Sequence, residues 1–515
     1  MKIIFRVDAS SQIGSGHVMR CLTLAKILKK QGSDCKFICR DHKNNLIKKI
    51  KKEGFEVVTL ANSGKVKFRQ SAKVVSNNYS NWIGITWKED VRQTIHTLEK
   101  EKIDWLIIDH YGIDKKWEEK LRPYVKKIMV IDDLANRNHD CDLLLDQNLV
   151  ANFKNRYQNL LPKYSNTLLG PKYVLLQNQY KNLYSRATSR SGTIKRILIH
   201  FGSTDQYAVI KLVLLSILKL NQKNIILDVV ANLKTSKKKK IKMLFKKNIK
   251  VKIYNDLTTL AHLILKADLA VGACGTTSLE RCCLGLPSLV ITVADNQKPI
   301  AKELHKQKLI RWLGHYDKIT DNSVYSGLKN LINQNLKAWS NACKLVTDGC
   351  GAEKVASILT LNSKTRLKLR FARAKDKKLL LNWANDPLVR SNAFNSKIIS
   401  EKTHDKWFNF YFNNQKICKI FIIETKDGIP IGQVRFEKKI RKWYINYSLS
   451  SFARGKKIAS KILQASINEF KKNQKNKLYA EVKRDNLPSC KAFEKIGFIK
   501  NYSNIYDLGI VSYKL

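Results

Sequence analysis

From Lys2 to about Leu145, short apolar runs alternate with helix-like segments. The runs Ile3–Val7, Cys35–Cys39, Trp105–Ile108 and Ile128–Ile131 read as strands, and Val18–Lys30 and Val91–Glu99 between them carry helical patterns. Such alternation predicts a parallel sheet wrapped by helices. A polar stretch, Ser185–Thr193, precedes a second series with strands at Arg196–Phe201, Ile225–Val230, Val251–Tyr254, Leu269–Gly272 and Ser288–Thr292. Two successive α/β halves imply a cleft between them, where folds of this kind hold their ligands.

Around Asn362-Ser363-Lys364-Thr365 the pattern changes. A strand (Leu367–Phe371), a helix (Asp376–Ala384) and several strands at hairpin spacing follow, with Asp427-Gly428 marking a turn between Ile420–Thr425 and Pro430–Lys438. That describes a smaller α+β unit. The length of 515 residues agrees with three units at about 150 residues each. No repeat of roughly 20–50 residues is visible, which argues against a solenoid.

Composition narrows the class. The hydrophobic share of 44% is that of globular domains. No apolar run approaches the roughly 20 residues of a membrane helix. Arg6 and Asp8 interrupt the first apolar stretch, which reads as a buried strand and not as a secretory signal. The eleven cysteines include no CxxC pair and sit beside no histidine cluster, so reduced cytoplasmic thiols are expected, with no metal. The formal charge of +54 would suit a polyanion partner, but the lysines are dispersed, as AT-rich coding would give. Nothing interleaves them with aromatics, so no nucleic acid and no membrane partner is expected. Oligomeric state is not written in the sequence.

The first strand runs through Asp8 into Ser10-Ser11-Gln12-Ile13-Gly14-Ser15-Gly16-His17-Val18-Met19-Arg20. Two glycines before a helix expose backbone N–H groups and a positive helix end to an anion. A histidine in that first turn feels the same positive end, which favours the neutral imidazole that a general base requires. Spacing alone leaves a structural histidine open.

These residues, with Ile108-Asp109-His110-Tyr111-Gly112, Ile131–Ala135, Cys141–Asn148, Leu169-Gly170-Pro171, Phe201-Gly202, Gly272–Pro287 and Ala294–Gln297, resemble in order the PseG family of UDP-sugar hydrolases of pseudaminic acid biosynthesis. The likeness covers most of the first 350 residues; Gly202-Ser203-Thr204-Asp205 departs from it by lacking a second glycine. It implies a GT-B-like pair of Rossmann-like domains, residues 1–190 and 191–362, with the nucleotide mainly on the second. By the resemblance His17 activates water, which displaces UDP from the anomeric carbon with inversion. Asp8, Gly14, Gly16, Arg20, Gly202 and Ser203 would contact substrate. The turn Gly275-Thr276-Thr277-Ser278, opening a helix, would stabilise the departing diphosphate through backbone N–H groups. Glu280, placed on that helix's first turn, would accept from the ribose hydroxyls or else act only as a carboxylate favoured by the dipole. Asn296 and Gln297 would face the sugar. For Asp109 and His110, a role in the loop and a role in substrate contact both stand.

Residues 363–515 carry a second pattern. The strand Trp443–Leu449 leads into Arg454-Gly455-Lys456-Lys457-Ile458-Ala459 and a helix, Ser460–Phe470; the strand Leu478–Val482 then precedes Asn486–Phe498. This resembles motif A and the following elements of the GNAT acetyltransferases, an α+β fold, with Lys457 where the family pattern has a central glycine. The resemblance implies acetyl-CoA as cosubstrate, held by Leu449, Arg454, Gly455, Lys456, Lys457, Ile458, Ala459 and Asn486. Phe493 stands where many members carry an acidic tyrosine, and Phe donates no proton. Glu437 is a candidate base for the acceptor amine or a solvated strand-end residue. Together the two resemblances imply a cytoplasmic bifunctional enzyme acting on a UDP-sugar and acetyl-CoA, with a PseH-like 4-amino-sugar N-acetyltransferase as its second half. The alternative is a GT-B glycosyltransferase fused to a GNAT acting on another amine, such as a protein N-terminus.

Overall fold

The structure, a computed structural model, describes residues 1–62, 79–98, 102–202, 206–222, 224–245, 249–255, 257–472, 476–500 and 509–515. The chain divides into two compact units, Met1–Ala356 and Ser357–Leu515.

The first unit contains two wholly parallel sheets. Strands β1 (Lys2–Val7), β2 (Asp34–Arg40), β3 (Glu56–Leu60), β4 (Trp105–Asp109), β5 (Ile128–Ile131), β6 (Leu143–Asp146) and β7 (Asn166–Leu169) lie in the order β3-β2-β1-β4-β5-β6-β7. Strands β8 (Arg196–His200), β9 (Ile226–Val230), β10 (Lys250–Tyr254), β11 (Leu269–Gly272), β12 (Ser288–Thr292) and β13 (Arg311–His315) lie in the order β10-β9-β8-β11-β12-β13. Each is the Rossmann arrangement, in which the order reverses beside the first strand and leaves a crevice at the strands' carboxyl ends. Both faces of such sheets are covered, so the strands are apolar nearly throughout. In the second sheet Ile197, Ile199, Leu227, Val229, Leu269, Val271, Leu289 and Ile291 fill one face, and Leu198, Val230 and Ala270 belong to the packing on the other. Each fully buried aliphatic side chain contributes about 1.5–3 kcal/mol.

The polar stretch between the sheets is more than a solvated connector. Arg190 is buried and donates to the carbonyls of Ile264, Leu265, Ala267 and Leu284. These carbonyls lie at the C-terminal ends of the helices Ala261–Lys266 and Thr276–Cys283, where the last carbonyls find no N–H donor within the helix.

In the second unit β14 (Leu367–Phe371), β15 (Cys418–Thr425), β16 (Pro430–Lys439), β17 (Lys442–Leu449), β18 (Leu478–Lys483), β19 (Ile499–Lys500) and β20 (Ile510–Lys514) form one sheet in the order β14-β15-β16-β17-β18-β20-β19. All neighbours are antiparallel except β17 and β18. Among the described residues those two pair only at Trp443↔Leu478 and Tyr444↔Tyr479, so beyond Tyr444 β17 and β18 separate. Phe436, Phe470 and Trp443 lock the helix Ala459–Lys471 to the sheet, with the Phe436 and Phe470 rings stacked at 4.2 Å and Trp443 edge-on to Phe470 at 5.0 Å.

Most expected strands appear within a residue or two of their places. The helix expected at Val91–Glu99 spans Trp87–Leu98, and Glu99 lies outside the described residues. Strands β3, β6, β7, β13, β19 and β20 and the helices Pro387–Asn392 and Glu401–Asn413 had no counterpart in the sequence reading.

Candidate functional site

The first cluster grows from the turn between β1 and the helix Gly16–Lys30. Ser10 Oγ accepts from the N–H groups of Gln12 (3.2 Å) and Ile13 (3.1 Å), and the Gly14 N–H donates to the Ser10 carbonyl at 2.9 Å. Gly14 has φ +79°, a left-handed conformation that glycine adopts without strain. An added Cβ at Gly14 or Gly16 would meet no atom within 4 Å, so the space over the turn is open.

His17 and Arg20 project from the start of this helix toward the end of β4, the strand beside β1 at the reversal point. His17 Nδ1 lies 2.6 Å from Asp109 Oδ1. Arg20 grips the same carboxylate with two bonds of 2.6 Å, from Nε to Oδ2 and from Nη2 to Oδ1, and reaches Asp133 Oδ2 with Nη1 at 3.1 Å. Burial alone would raise the Asp109 carboxyl, but Arg20 and His17 hold it well below the usual carboxylate range. With Asp109 ionised, the short contact requires the proton to sit on His17 Nδ1, which leaves Nε2 as the basic nitrogen. Asp133 also accepts from Asn148 Nδ2 (3.1 Å) and from the Tyr111 hydroxyl. Aromatic rings wall the histidine: Tyr111 stands edge-on at 4.6 Å and Trp82 at 6.0 Å, with Tyr79 packed against both.

Asp8 is placed differently from the sequence expectation. Its carboxylate is wholly buried, accepting from Arg6 Nη1 (2.7 Å) and the Arg40 N–H (2.6 Å), with His110 Nε2 at 3.3 Å and His42 Nε2 at 3.6 Å. Asp90 completes the group by accepting from Arg6, Arg40 and Trp117. Asp8 therefore braces the end of β1 from inside, away from the open side of the turn. Breaking one partner of a buried pair of this kind costs about 3–5 kcal/mol. His110 belongs to the same internal group, while Asp109, one residue earlier, faces His17.

The second cluster follows β8 and β11, again at a reversal point. Gly202 has φ +97°; Ser203 lies outside the described residues. The helix Thr276–Cys283 starts after Gly275. The Ser278 N–H closes onto the Gly275 carbonyl (2.9 Å), and its hydroxyl is buried, accepting from Arg281 Nη2 at 2.9 Å. Ser278 thus shapes the turn, and the N–H groups of Thr276 and Thr277 are the first-turn donors turned to no carbonyl of the helix. Thr276 Oγ1 accepts from Gln147 Nε2 at 3.2 Å, and Gln147 Oε1 accepts from the Leu175 N–H at 3.0 Å, which joins the end of β6 to the second sheet's turn.

Glu280 sits in the second turn of this helix, not the first, which removes it from the strongest part of the dipole. Burial pushes its carboxyl up to about 7, against the Tyr180 hydroxyl and Arg281, which pull the other way. Arg281 is buried and donates to the Ala273 carbonyl (2.8 Å) and Ser278 Oγ. Asn296 and Gln297 fall in the short turn Asp295–Gln297 after β12; Gln297 Oε1 accepts from the Val293 N–H at 3.0 Å, so its carbonyl end serves its own loop.

In the second unit, Leu449 ends β17 and its carbonyl accepts from Arg454 Nε at 3.2 Å, while Arg454 Nη2 pairs with Asp386 at 2.7 Å. Gly455 (φ +70°) and Lys457 (φ +56°) are both left-handed, and Lys456 lies between them before Ile458 and the helix that opens at Ala459. Lys457 adopts the conformation for which the family pattern has glycine. Asn486 caps the helix Leu487–Glu494, its Oδ1 accepting from the Ser489 N–H at 3.3 Å. Phe493 is buried and edge-on to Tyr447 at 5.7 Å, and the Tyr447 and Ser489 hydroxyls are 3.1 Å apart. Glu437 is occupied by the Tyr411 hydroxyl (2.6 Å) and by Arg435 (3.4 Å).

Asp133, Asn148, Gln147, Tyr79, Trp82 and Tyr447 were not named as site residues from sequence, nor was Tyr111 outside its motif. Tyr111, Asp133, Gln147 and Asn148 lie within the motifs of the hydrolase resemblance, and that was the available signal. Among the described residues no helix is long and apolar enough to cross a membrane, and no cluster of His, Cys, Asp or Glu is suited to a metal ion.

Comparison with known proteins agrees with this division. Residues 196–356 match the glycosyltransferase family 28 C-terminal domain, and residues 366–499 match the acetyltransferase (GNAT) domain. An uncharacterized protein of Methanocaldococcus jannaschii is 24% identical over 517 residues, 97% of each chain. The UDP-2,4-diacetamido-2,4,6-trideoxy-beta-L-altropyranose hydrolase of Campylobacter jejuni is 27% identical over 309 residues, 60% of this chain and 97% of that protein. Among solved structures, MurG of Acinetobacter baumannii is 13% identical, covering 70% of this chain and 98% of its own with a TM-score of 0.48. Spermidine N-acetyltransferase of Vibrio cholerae, in complex with CoA and spermine, is 18% identical over 29% of this chain and 94% of its own, with a TM-score of 0.27. The chain is thus a PseG-like homologue that carries a glycosyltransferase family 28 C-terminal-like domain and, after it, a GNAT acetyltransferase domain.

Proposed function

We propose that the chain is a bifunctional cytoplasmic enzyme of nucleotide-sugar metabolism, of the pseudaminic acid type. Its first unit hydrolyses a UDP-2,4-diacetamido-2,4,6-trideoxyhexose to free sugar and UDP, and its second N-acetylates a 4-amino-sugar precursor with acetyl-CoA. The observation that carries the first part is the His17–Asp109 pair beside an open glycine turn. His17 Nε2 takes a proton from water as its oxygen attacks the anomeric carbon, and the bond to the diphosphate breaks. Asp109 orients the ring and offsets the charge it acquires. Arg20 fixes Asp109, and Gly14 and Gly16 let substrate approach the backbone. The departing diphosphate takes the N–H groups of Thr276 and Thr277 at the Gly275 turn, with Gly202 flanking it. Glu280 accepts from the ribose hydroxyls, and Asn296 with the amide end of Gln297 meets the sugar. The relative of known activity from C. jejuni supports this reading.

In the second unit the left-handed Gly455-Lys456-Lys457 turn and the helix behind it suit the pyrophosphate of coenzyme A, with Leu449, Arg454, Ile458, Ala459 and Asn486 around it. The edge of β17 beyond Tyr444, where β18 has separated from it, offers backbone groups to the amides of the pantetheine arm. The cytoplasm supplies both cosubstrates and keeps the thiols reduced.

The family 28 domain favours one rival, transfer of the sugar to an acceptor hydroxyl in place of water. The deciding experiment incubates the full chain with a UDP-2-acetamido-4-amino-2,4,6-trideoxyhexose, with and without acetyl-CoA, and identifies products by mass spectrometry and NMR. With acetyl-CoA, free diacetamido sugar and UDP are expected; a glycoside, or no UDP release in that arm, would overturn the hydrolase reading.

A further inference from the structure

Thioester aminolysis leaves an electron pair on sulfur, and the reaction is easier when a proton reaches that sulfur as the C–S bond breaks. On the helix that follows β18, the ring nearest the split between β17 and β18 is Phe493, which has no proton to give. A hydroxyl comes instead from the opposite lip of the split. Tyr447 lies three residues past the last β17–β18 pair, on the stretch of β17 that β18 has left. Its ring packs edge-on against Phe493 at 5.7 Å, and its hydroxyl meets Ser489 Oγ at 3.1 Å across the gap. Ser489 is half-buried in the first turn of the helix Leu487–Glu494, which gives the pair an outlet to solvent.

Among the described residues, several neighbouring hydroxyls are placed otherwise. Tyr513 donates to Glu494 at 3.0 Å, Tyr411 to Glu437, and Ser450 to the Ile431 carbonyl at 3.0 Å. Ser448 points to the other face of β17 by strand alternation. Burial raises the Tyr447 hydroxyl above its ordinary value, so it holds its proton through the neutral range.

We propose that Tyr447, relayed by Ser489, is the acid that protonates the departing thiolate of acetyl-CoA. This rests on the acetyltransferase reading of the second unit. The acceptor nitrogen attacks the acetyl carbon, the C–S bond breaks, and the electron pair left on sulfur takes the Tyr447 proton. Ser489 returns a proton to the phenolate from solvent, which receives the one lost by the nitrogen. Free thiol and amide result, with no net change in protons beyond the amine's own.

The test uses the full chain, acetyl-CoA and three amines, namely the UDP-4-amino-sugar, a primary polyamine and hydroxylamine, with coenzyme A release as the readout on the fastest of them. Tyr447→Phe keeps the ring packing and should lower kcat by about 10²-fold, with the KM for acetyl-CoA changed less than about threefold. Ser489→Ala should give a smaller loss in the same direction. An acetyl-CoA analogue with oxygen in place of the thioester sulfur has a poorer leaving group and releases an alcohol, so it is followed by formation of the N-acetylated amine; it should widen the gap between wild type and Tyr447→Phe. A kcat within about threefold of wild type, or a gap that does not widen with the oxygen analogue, would overturn the assignment. Activity on another amine but not on the sugar would overturn the sugar reading while still testing Tyr447. If wild type releases coenzyme A with none of the amines, Tyr447 and the acetyltransferase reading fall together.

Discussion

His17 Nδ1 and Asp109 Oδ1 stand 2.6 Å apart across the point where the first sheet reverses its strand order, one at the start of the helix after β1 and the other at the end of β4. The pairing fixes which ring nitrogen is basic. If the first unit activates water through that nitrogen, Asp109→Asn should lower UDP release nearly as much as His17→Ala, because an amide no longer selects the same tautomer. A loss of about 10²–10⁴-fold in kcat is expected for each. UDP release within tenfold of wild type for either variant, measured on the folded protein, would remove His17 from the mechanism.

The sequence carried the His17 turn and much of the fold because its strands are buried on both faces and so stand out as apolar runs. β11 and β12 were legible for that reason. Others were not: β13, Arg311-Trp312-Leu313-Gly314-His315, is only partly buried and lacks a continuous apolar run. The helix Glu401–Asn413 mixes aromatic and polar residues and was lost between strands that hairpin spacing made conspicuous. At the site, side-chain direction was the missing information. Asp8 and Asp109 are both carboxylates at the ends of adjacent strands, yet one is turned into a buried ionic group and the other toward His17. Tyr447 belongs to an ordinary-looking strand, and only the separation of β17 from β18 gives its hydroxyl a purpose.

Glu280 gives the first unit a pH signature. Burial raises its carboxyl to about 7, whereas the unfolded chain would titrate near the ordinary glutamate value of about 4.3. Between these values the folded protein binds the extra proton, so this residue's contribution to stability falls as pH rises from about 5 to 7. Glu280→Gln should therefore gain on wild type across that window in chemical denaturation at fixed ionic strength. A ribose hydroxyl donating to Glu280 favours the ionised form, so wild type should also bind UDP better relative to Glu280→Gln as pH rises through 7. Parallel stability curves for the two proteins would show that burial does not hold this proton.

The turn before the helix Ala459–Lys471 contains two left-handed residues, of which one is not glycine. A side chain in that conformation costs about 1–2 kcal/mol. Gly455→Ala should destabilise the second unit by about that amount, although no atom lies within 4 Å of the new Cβ. Lys457→Gly should be neutral or stabilising by up to about 1 kcal/mol, because relief of the strain competes with the freedom glycine adds to the unfolded chain. Thermal denaturation of both variants checks this; a Lys457→Gly protein clearly less stable than wild type would mean that the lysine makes compensating contacts.

The two proposed activities should run in a fixed order, acetylation before hydrolysis. A free 4-amine is an ammonium ion at neutral pH, and desolvating it in a cleft shaped for a neutral amide is costly. Acetylation removes the charge and adds a carbonyl acceptor and a methyl group. The half-exposed Tyr79 and Trp82 beside His17 present apolar faces suited to such a group. Discrimination in kcat/KM should thus exceed the roughly 10–200-fold that one methylene supplies. The measurement supplies the unacetylated UDP-amino-sugar to the intact chain and follows UDP release before and after acetyl-CoA is added. A lag, then release that tracks acetylation, is expected. Release at full rate without acetyl-CoA would refute the order and leave the second unit without an assigned acceptor.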